Sequence, residues 1–109
     1  MGDVRTPLKI RLYGIDAPEL EQKGGPQSRD HLLSLVRPGQ DVEVIKMSTD
    51  KYGRSVALVA TDRVLNADML EAGQAWAYPA FCNAPFCNGW KKLEQDAKEA
   101  RRGLWSRKD

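Results

Sequence analysis

Apolar and polar residues alternate near the start of the chain, over residues 8–13. The apolar face carries Leu8, Ile10 and Leu12, and the polar face carries Lys9, Arg11 and Tyr13. A period of two predicts a half-buried strand. Residues 14–25 contain Pro18, a Gly-Gly pair and several charges. We therefore expect a loop there, after a last extended step through Ile15.

A helical period follows Pro26, which suits a first helical turn. Its apolar stripe consists of Leu32, Leu33, Leu35 and Val36. The stripe stops before Pro38-Gly39 and predicts the first helix. Apolar residues between 42 and 47 predict a second strand, and residues 54–60 a third. The segment 50–54, Asp-Lys-Tyr-Gly-Arg, then lies at a hairpin connection.

A second, short helix is predicted to run from Asn66 through Ala72. Asn66 is a suitable N-cap residue, and Gly73 is a suitable end. Leu65 and Leu70 have the spacing of a hydrophobic staple across this cap.

The last predicted helix begins near Asn88 and ends at Gly103. One face carries Trp90, Leu93, Ala97 and Ala100. We expect Leu104 and Trp105 to fold back on the core. The order of strand, helix, strand pair and two helices indicates one α+β domain over residues 1–109, whose hairpins could close into a small barrel.

Composition changes this picture little. Of 109 residues, 41% are hydrophobic and 29% are charged, which is typical of a globular domain. No stretch approaches the roughly 18 apolar residues of a membrane-spanning helix. Met1-Gly2 starts no basic-then-apolar leader, so a secretory signal is either absent or already removed. The net charge of +2 is too small to indicate a nucleic-acid partner by itself.

Cys82 and Cys87 are separated by Asn-Ala-Pro-Phe, a turn-forming spacer. This spacing favours a disulfide, with two reduced thiols as the alternative. Zinc is disfavoured, because two cysteines and the single His31 are too few ligands. A disulfide would indicate an oxidising compartment.

Four residues are candidates for chemistry: Arg11, Asp16 and Glu19 on a strand end and the following loop, and Arg54 at a second loop. Phosphodiester cleavage needs cations near the phosphorus oxygens, oxygen ligands for a hard metal and a carboxylate that activates water. The set contains each of these parts. Solvated arginines, a turn carboxylate and a surface acid are the alternative interpretation.

Five segments in order resemble the staphylococcal nuclease (thermonuclease-like) family. They are IRLYGIDAPE at 10–19, GPQ at 25–27, DKYGRSVA at 50–57, VLNADMLEAGQAWAY at 64–78 and ARRGLW at 100–105. The resemblance covers nearly the whole chain. It implies a small oligonucleotide-binding-like (OB-fold) β-barrel with three helices.

The resemblance also implies roles for the candidate residues. Arg11 and Arg54 match the two arginines that contact phosphate, and Glu19 matches the glutamate that orients water. Asp16 matches a calcium-ligating aspartate, and the backbone carbonyl of Ala17 a further calcium ligand. These residues would form a catalytic site with Ca²⁺ as its cofactor.

The implied activity is calcium-dependent endonucleolytic hydrolysis of DNA or RNA that leaves 3′-phosphate ends. Lys51 and Tyr52 match residues that line the nucleotide pocket. Tyr78 is a candidate for the aromatic wall of that pocket, with a core tyrosine as the alternative. A non-catalytic module that binds nucleic acid or protein is the alternative function. Disulfide and family together suggest a secreted or periplasmic protein.

One expected part of the family pattern has no match before Arg11. An Asp-Gly-Asp-Thr-like segment normally supplies a first strand and a second calcium-ligating aspartate, and Asp3 is the only nearby acid. The chain is thus predicted to lack N-terminal strands, unless it is a fragment of a longer nuclease. The loop from Glu19 to Gly25 is also short. We expect weak calcium binding and a homo-oligomer formed through exposed strand edges.

Overall fold

The computed structural model describes residues 9–106, so the predicted strand position Leu8 and the acid Asp3 lie outside the described residues. The strands are short and form two sheets. In chain order they are β1 (Ile10–Leu12), β2 (Ile15–Asp16), β3 (Glu43–Thr49), β4 (Ser55–Ala60) and β5 (Trp76–Ala77). In the first sheet β4 lies between β1, which is parallel to it, and β3, which is antiparallel. In the second, β2 pairs with β5 in antiparallel orientation.

Three α-helices accompany these sheets, which confirms the predicted α+β class. They are α1 (Gly25–Leu35), α2 (Leu65–Glu71) and α3 (Cys87–Glu99), with short 3₁₀ turns at Pro79–Phe81 and Gly103–Trp105. Between residues 9 and 106 the two sheets stay separate and no barrel closes. In the same range, no helix has the length and apolar content needed to cross a membrane.

Tyr13 belongs to the hydrophobic core, so its predicted position is wrong. The alternation of residues 8–13 had placed it with Lys9 and Arg11 on the polar face of the first strand. The strand ends at Leu12, and a turn at Tyr13-Gly14 redirects the chain. Tyr13 is 8% exposed, and its ring packs edge-on against the rings of Phe86 and Trp90. Its hydroxyl accepts a hydrogen bond of 2.7 Å from the backbone N–H of Asn83. The prediction failed because alternation holds only while the chain stays extended.

Asn66 is not the predicted N-cap, since α2 begins at Leu65 after Val64. The predicted staple across that cap is therefore also wrong. The Asn66 side chain is fully buried, and its Oδ1 accepts a hydrogen bond of 3.0 Å from the N–H of Val59. Its Nδ2 donates to the carbonyls of Tyr13 and Ala57, both at 3.1 Å. Asn66 thus joins α2 to β4 and to the turn that follows β1.

The predicted disulfide between Cys82 and Cys87 is present, with the two Cα atoms 5.8 Å apart. The bridge packs behind the β1–β2 turn at Gly14, where φ is +76°. A Cβ at this glycine would lie 2.9 Å from the Cys82 sulfur and 2.8 Å from the Trp90 ring. Only glycine therefore fits between the turn, the disulfide and α3.

The chain end folds back as predicted. Leu104 donates its backbone N–H to the carbonyl of Gly73 at 2.8 Å, just after α2. Its side chain fills the space beside Gly24, immediately before α1. The last turn therefore ties the ends of two helices together.

Replacement of Asn66 by alanine is expected to lower the free energy of unfolding by about 3 kcal/mol, because the buried Val59 N–H and Tyr13 carbonyl lose their partner. The Ala57 carbonyl loses one of two donors and keeps the Tyr13 N–H. Urea denaturation monitored by fluorescence measures the change. Asn88→Ala makes the same chemical change at an exposed position of α3 and should cost under about 0.5 kcal/mol. Equal stability losses in the two variants would contradict the role given to Asn66.

Candidate active site

An open cleft of about 540 Å³ lies where β1, the loop after β2 and the start of α1 meet. Four of the predicted catalytic and metal-binding side chains line it, and so does Ala17. These are Arg11, Asp16, Glu19 and Arg54. The structure thus brings together two segments that are separated by about 40 residues in the sequence.

Arg11 is held over the β1–β2 turn. Its Nη1 donates to the carbonyls of Leu12 at 3.2 Å and Ile15 at 3.3 Å. Its Cζ lies 5.7 Å from the centre of the Tyr78 ring, a cation–π distance. These contacts fix the direction of a side chain that is 22% exposed.

Asp16 ends β2 beside Arg11. Its Oδ1 accepts a 2.9 Å hydrogen bond from the backbone N–H of Ala17 and lies 3.9 Å from the Arg11 Nη2. The side chain is 44% exposed, so this long ion pair contributes little to stability. The carboxylate therefore remains accessible from the cleft.

Glu19 lies at the rim of the cleft and is exposed. Its backbone N–H donates to Gln22 Oε1 at 2.7 Å, and its carbonyl accepts from the Gln22 N–H at 2.8 Å. A Cβ at Gly25 would lie 2.0 Å from that carbonyl. The first residue of α1 must therefore be glycine for the Glu19 turn to pack against the helix.

Arg54 reaches the cleft from the turn between β3 and β4. Its Nε donates to Asp50 Oδ2 at 2.7 Å. The other oxygen of the Asp50 carboxylate accepts hydrogen bonds of 2.9 Å from the backbone N–H groups of Tyr52 and Arg54. The backbone N–H of Ser55 donates to the Lys9 carbonyl at 3.1 Å, which places Arg54 beside the start of β1.

Partial desolvation raises the pKa of the Asp50 carboxyl, but the hydrogen bonds from the Arg54 backbone, the Arg54 side chain and the Tyr52 backbone outweigh it. The net result is a pKa below the ordinary value. Sequence reasoning gave Asp50 no role. An Asp four residues before an Arg, across a Gly-containing turn, is the signal that could have found it.

Lys51 and Tyr52, the predicted substrate-binding residues, lie at the tip of the same turn and do not line the cleft. Tyr52 is 73% exposed, and Lys51 Nζ and Arg54 Cζ lie 5.3 Å and 5.6 Å from the centre of its ring. Tyr78 is half-buried and packs edge-on against Phe81 at 4.7 Å. Its position under Arg11 is compatible both with the aromatic wall of the nucleotide pocket and with a core tyrosine.

The metal donors in the cleft are oxygens, the kind that hard cations such as Ca²⁺ prefer. Asp16 offers its accessible carboxylate, and Ala17 lies beside it with a backbone carbonyl. From residue 9 to residue 106, however, no cluster of three or more His, Cys, Asp or Glu is arranged to hold a metal. The donor type therefore fits calcium, and further ligands such as water would have to complete its usual six to eight oxygens.

Comparison with known proteins gives the same family over nearly the whole chain. The family model described as "Staphylococcal nuclease homologue" matches residues 9–107. An Escherichia coli O157:H7 protein named "Uncharacterized endonuclease" is 38% identical over 109 residues, which cover 98% of this chain and 69% of that protein. A "Probable staphylococcal-like nuclease" of Oryza sativa subsp. japonica is 37% identical over 90% of this chain, but this region is 29% of its length. The family implies an OB fold, and its members' names support a hydrolytic nuclease function.

The lowered pKa of Asp50 predicts a pH-dependent contribution to stability. Because the folded state holds the carboxylate ionised, the contribution is present above the unfolded-state pKa and is lost as the pH falls through the lower folded-state value. The stability deficit of Asp50→Asn relative to the wild type should therefore shrink between pH 7 and pH 2.5. Urea denaturation at both pH values tests this, with the exposed Asp41→Asn as control. A deficit that stays constant with pH would contradict the assignment.

Proposed function

The chain belongs to the staphylococcal nuclease family, and we propose that it is a calcium-dependent endonuclease that hydrolyses phosphodiester bonds of DNA or RNA. The observation that carries the proposal is the convergence of Arg11, Asp16, Glu19 and Arg54 on one open cleft. A non-catalytic binding module would need no exposed carboxylate beside two arginines.

The two arginines have the chemistry required around a phosphate. A guanidinium stays charged at any working pH and can donate two parallel hydrogen bonds to phosphate oxygens. Arg11 and Arg54 stabilise the negative charge that grows on these oxygens in the pentacoordinate transition state. The turn hydrogen bonds of Arg11 and the Asp50 contact of Arg54 hold both groups in place before substrate arrives.

Glu19 orients or deprotonates the attacking water. Its carboxylate lies at the exposed rim of the cleft, where water has free access. Water attacks phosphorus, and products with 3′-phosphate ends require that the bond from phosphorus to the 5′ oxygen breaks. The rim position leaves room for a chain that continues on both sides of the scissile bond, as an endonuclease requires.

Asp16 and the carbonyl of Ala17 are the proposed calcium ligands. When bound, calcium supplies positive charge that polarises the scissile phosphate. Asp16 also lies 3.9 Å from Arg11. The accessible carboxylate would therefore hold the cation close to one of the two phosphate-binding arginines.

Lys51 and Tyr52 are proposed to bind the nucleotide next to the scissile phosphate. An exposed aromatic ring with cations on it offers stacking to a base and charge to a phosphate. The disulfide supports a secreted or periplasmic location, because such bonds persist in oxidising compartments.

We also propose that the chain associates with itself through β3. In residues 9–106 this strand pairs along one edge, with β4. Val42, Ile45 and Met47 are each about two-fifths exposed on or beside β3, at 38%, 42% and 40%. An unpaired edge flanked by exposed apolar side chains is a template for pairing with a strand of another copy. Such pairing would extend the sheet toward the barrel that the family implies.

Arg54→Ala and Glu19→Ala are each expected to lower calcium-dependent cleavage of single-stranded DNA by about 10²- to 10³-fold, the usual loss when one transition-state contact is removed. Both residues lie at loops, so the circular dichroism spectrum and the melting temperature should change little.

The control variants are Arg37→Ala and Glu99→Ala, which remove exposed residues that do not line the cleft. They should cleave like the wild type, and EDTA should abolish cleavage by all active forms. Unchanged cleavage by Arg54→Ala or Glu19→Ala would show that the site is wrongly assigned. A wild type that binds DNA but never cleaves it would favour the binding module.

The self-association predicts a species larger than a monomer at micromolar concentration. Multi-angle light scattering measures the mass, and Ile45→Lys should shift it to the monomer because it places a charge on the strand. Leu33→Lys changes an apolar residue of α1 that is 62% exposed and should leave the mass unchanged. A monomeric wild type across this range would rule the association out.

A further inference from the structure

A single carboxylate organises the turn that carries Arg54. Asp50 follows the last residue of β3 and is half-buried, with a side chain 17% exposed. One of its oxygens accepts two backbone N–H groups of the turn, and the other accepts the Nε–H of Arg54. The same residue therefore fixes both the backbone and the side chain of Arg54.

We propose that Asp50 is a positioning residue, which holds the guanidinium of Arg54 in the direction that meets the substrate phosphate. The inference rests on the proposed nuclease function. It assigns to Asp50 no contact with substrate and no proton transfer. Its effect on the reaction passes through Arg54 alone.

The atoms used in this contact support the proposal. Nε is the guanidinium nitrogen nearest the backbone, and its 2.7 Å bond to Asp50 stops the group from rotating about its stem. Among the described residues, the two terminal nitrogens of Arg54 donate no hydrogen bond, and the residue lines the cleft. Two parallel donors are what a phosphate group accepts. Asp50 thus restrains Arg54 without occupying its phosphate-binding edge.

Stability alone does not account for this arrangement. The Arg54 side chain is 40% exposed, and an ion pair at such a position contributes at most about 1 kcal/mol. The restraint matters more for catalysis, where a displacement of about 1 Å of a binding group can cost roughly a hundredfold in rate. The Tyr52 ring, 5.6 Å from the Arg54 Cζ, limits motion of the guanidinium on one side, but it cannot fix its rotation.

Asp50→Asn separates the two tasks of this residue. The amide oxygen of asparagine still accepts the two backbone hydrogen bonds and keeps the turn. Its amide nitrogen is a donor and cannot accept the Nε–H of Arg54. The variant therefore keeps the backbone and releases the side chain.

The first experiment is a double-mutant cycle on single-turnover cleavage of single-stranded DNA with calcium. Asp50→Asn should lower the rate about ten- to a hundredfold, and Arg54→Ala further. The double variant should be no slower than Arg54→Ala, because Asp50 has no effect without the arginine. Losses that multiply, or an Asp50→Asn rate equal to the wild type, would overturn the proposal.

Asp96→Asn is the matched control. Asp96 pairs with Lys92 on α3 at the same spacing of four residues, outside the cleft. The control removes the same charge and should cleave at the wild-type rate. A loss equal to that of Asp50→Asn would show a general effect of charge and overturn the proposal.

The second experiment needs no activity, so it distinguishes failure of this inference from failure of the proposed function. In the ¹⁵N–¹H NMR spectrum, the Arg54 Nε–H should be protected from exchange with solvent in the wild type and in Asp96→Asn. It should exchange rapidly in Asp50→Asn. Equal protection in all three proteins would overturn the proposal whether or not the chain cleaves DNA. A wild type that protects the group and cleaves nothing would refute the nuclease function instead.

Discussion

The buried amide of Asn66 is the interaction on which the arrangement of this domain depends. A buried polar group left without a partner costs about 1–3 kcal/mol, so the amide restricts where α2 can pack. The three backbone groups that satisfy it belong to Val59 and Ala57 on β4 and to Tyr13 after β1. Burial of apolar surface would tolerate small shifts of the helix, but these hydrogen bonds do not. Asn66 therefore sets the helix and the two strands in one fixed relation.

The position of the cleft follows from that relation. Arg11 lies on β1, just before the turn anchored by Asn66, and Arg54 lies just before β4. Parallel pairing places Arg11 opposite Val56. Both arginines are thus held near the same end of two adjacent strands. Asp16 joins them because the turn at Gly14 returns the chain immediately after β1.

The sequence predicted the features that depend on neighbouring residues better than those that depend on contacts between distant segments. The helix α1 and the strand β4 lie close to where their patterns place them, and α3 begins as predicted but ends at Glu99, four residues before the predicted end at Gly103. Asn66 was misinterpreted because a cap and a buried amide use the same residue type, and only the packed fold supplies its distant partners. Strand β5 has two residues, too few for any period to show. The grouping of Arg54 with the loop after β2 was suggested by residue chemistry and supported by the family resemblance, since sequence spacing carries no information about a contact between separate segments.

The cleft also shows how a nearly neutral chain can present a cationic site. With a net charge of +2, the protein as a whole attracts a polyanion only weakly. The three arginines that line the cleft all lie beside acids, at 2.7 Å for Arg54 with Asp50, 3.9 Å for Arg11 with Asp16 and 2.9 Å for Arg29 with Asp30. Each ion pair lowers the net positive charge of the cleft. The short contact of Arg54 with Asp50, however, uses only Nε, the guanidinium nitrogen nearest the backbone. Recognition of phosphate then depends on the direction of a few donors, which ion pairs can improve, and only weakly on an excess of positive charge.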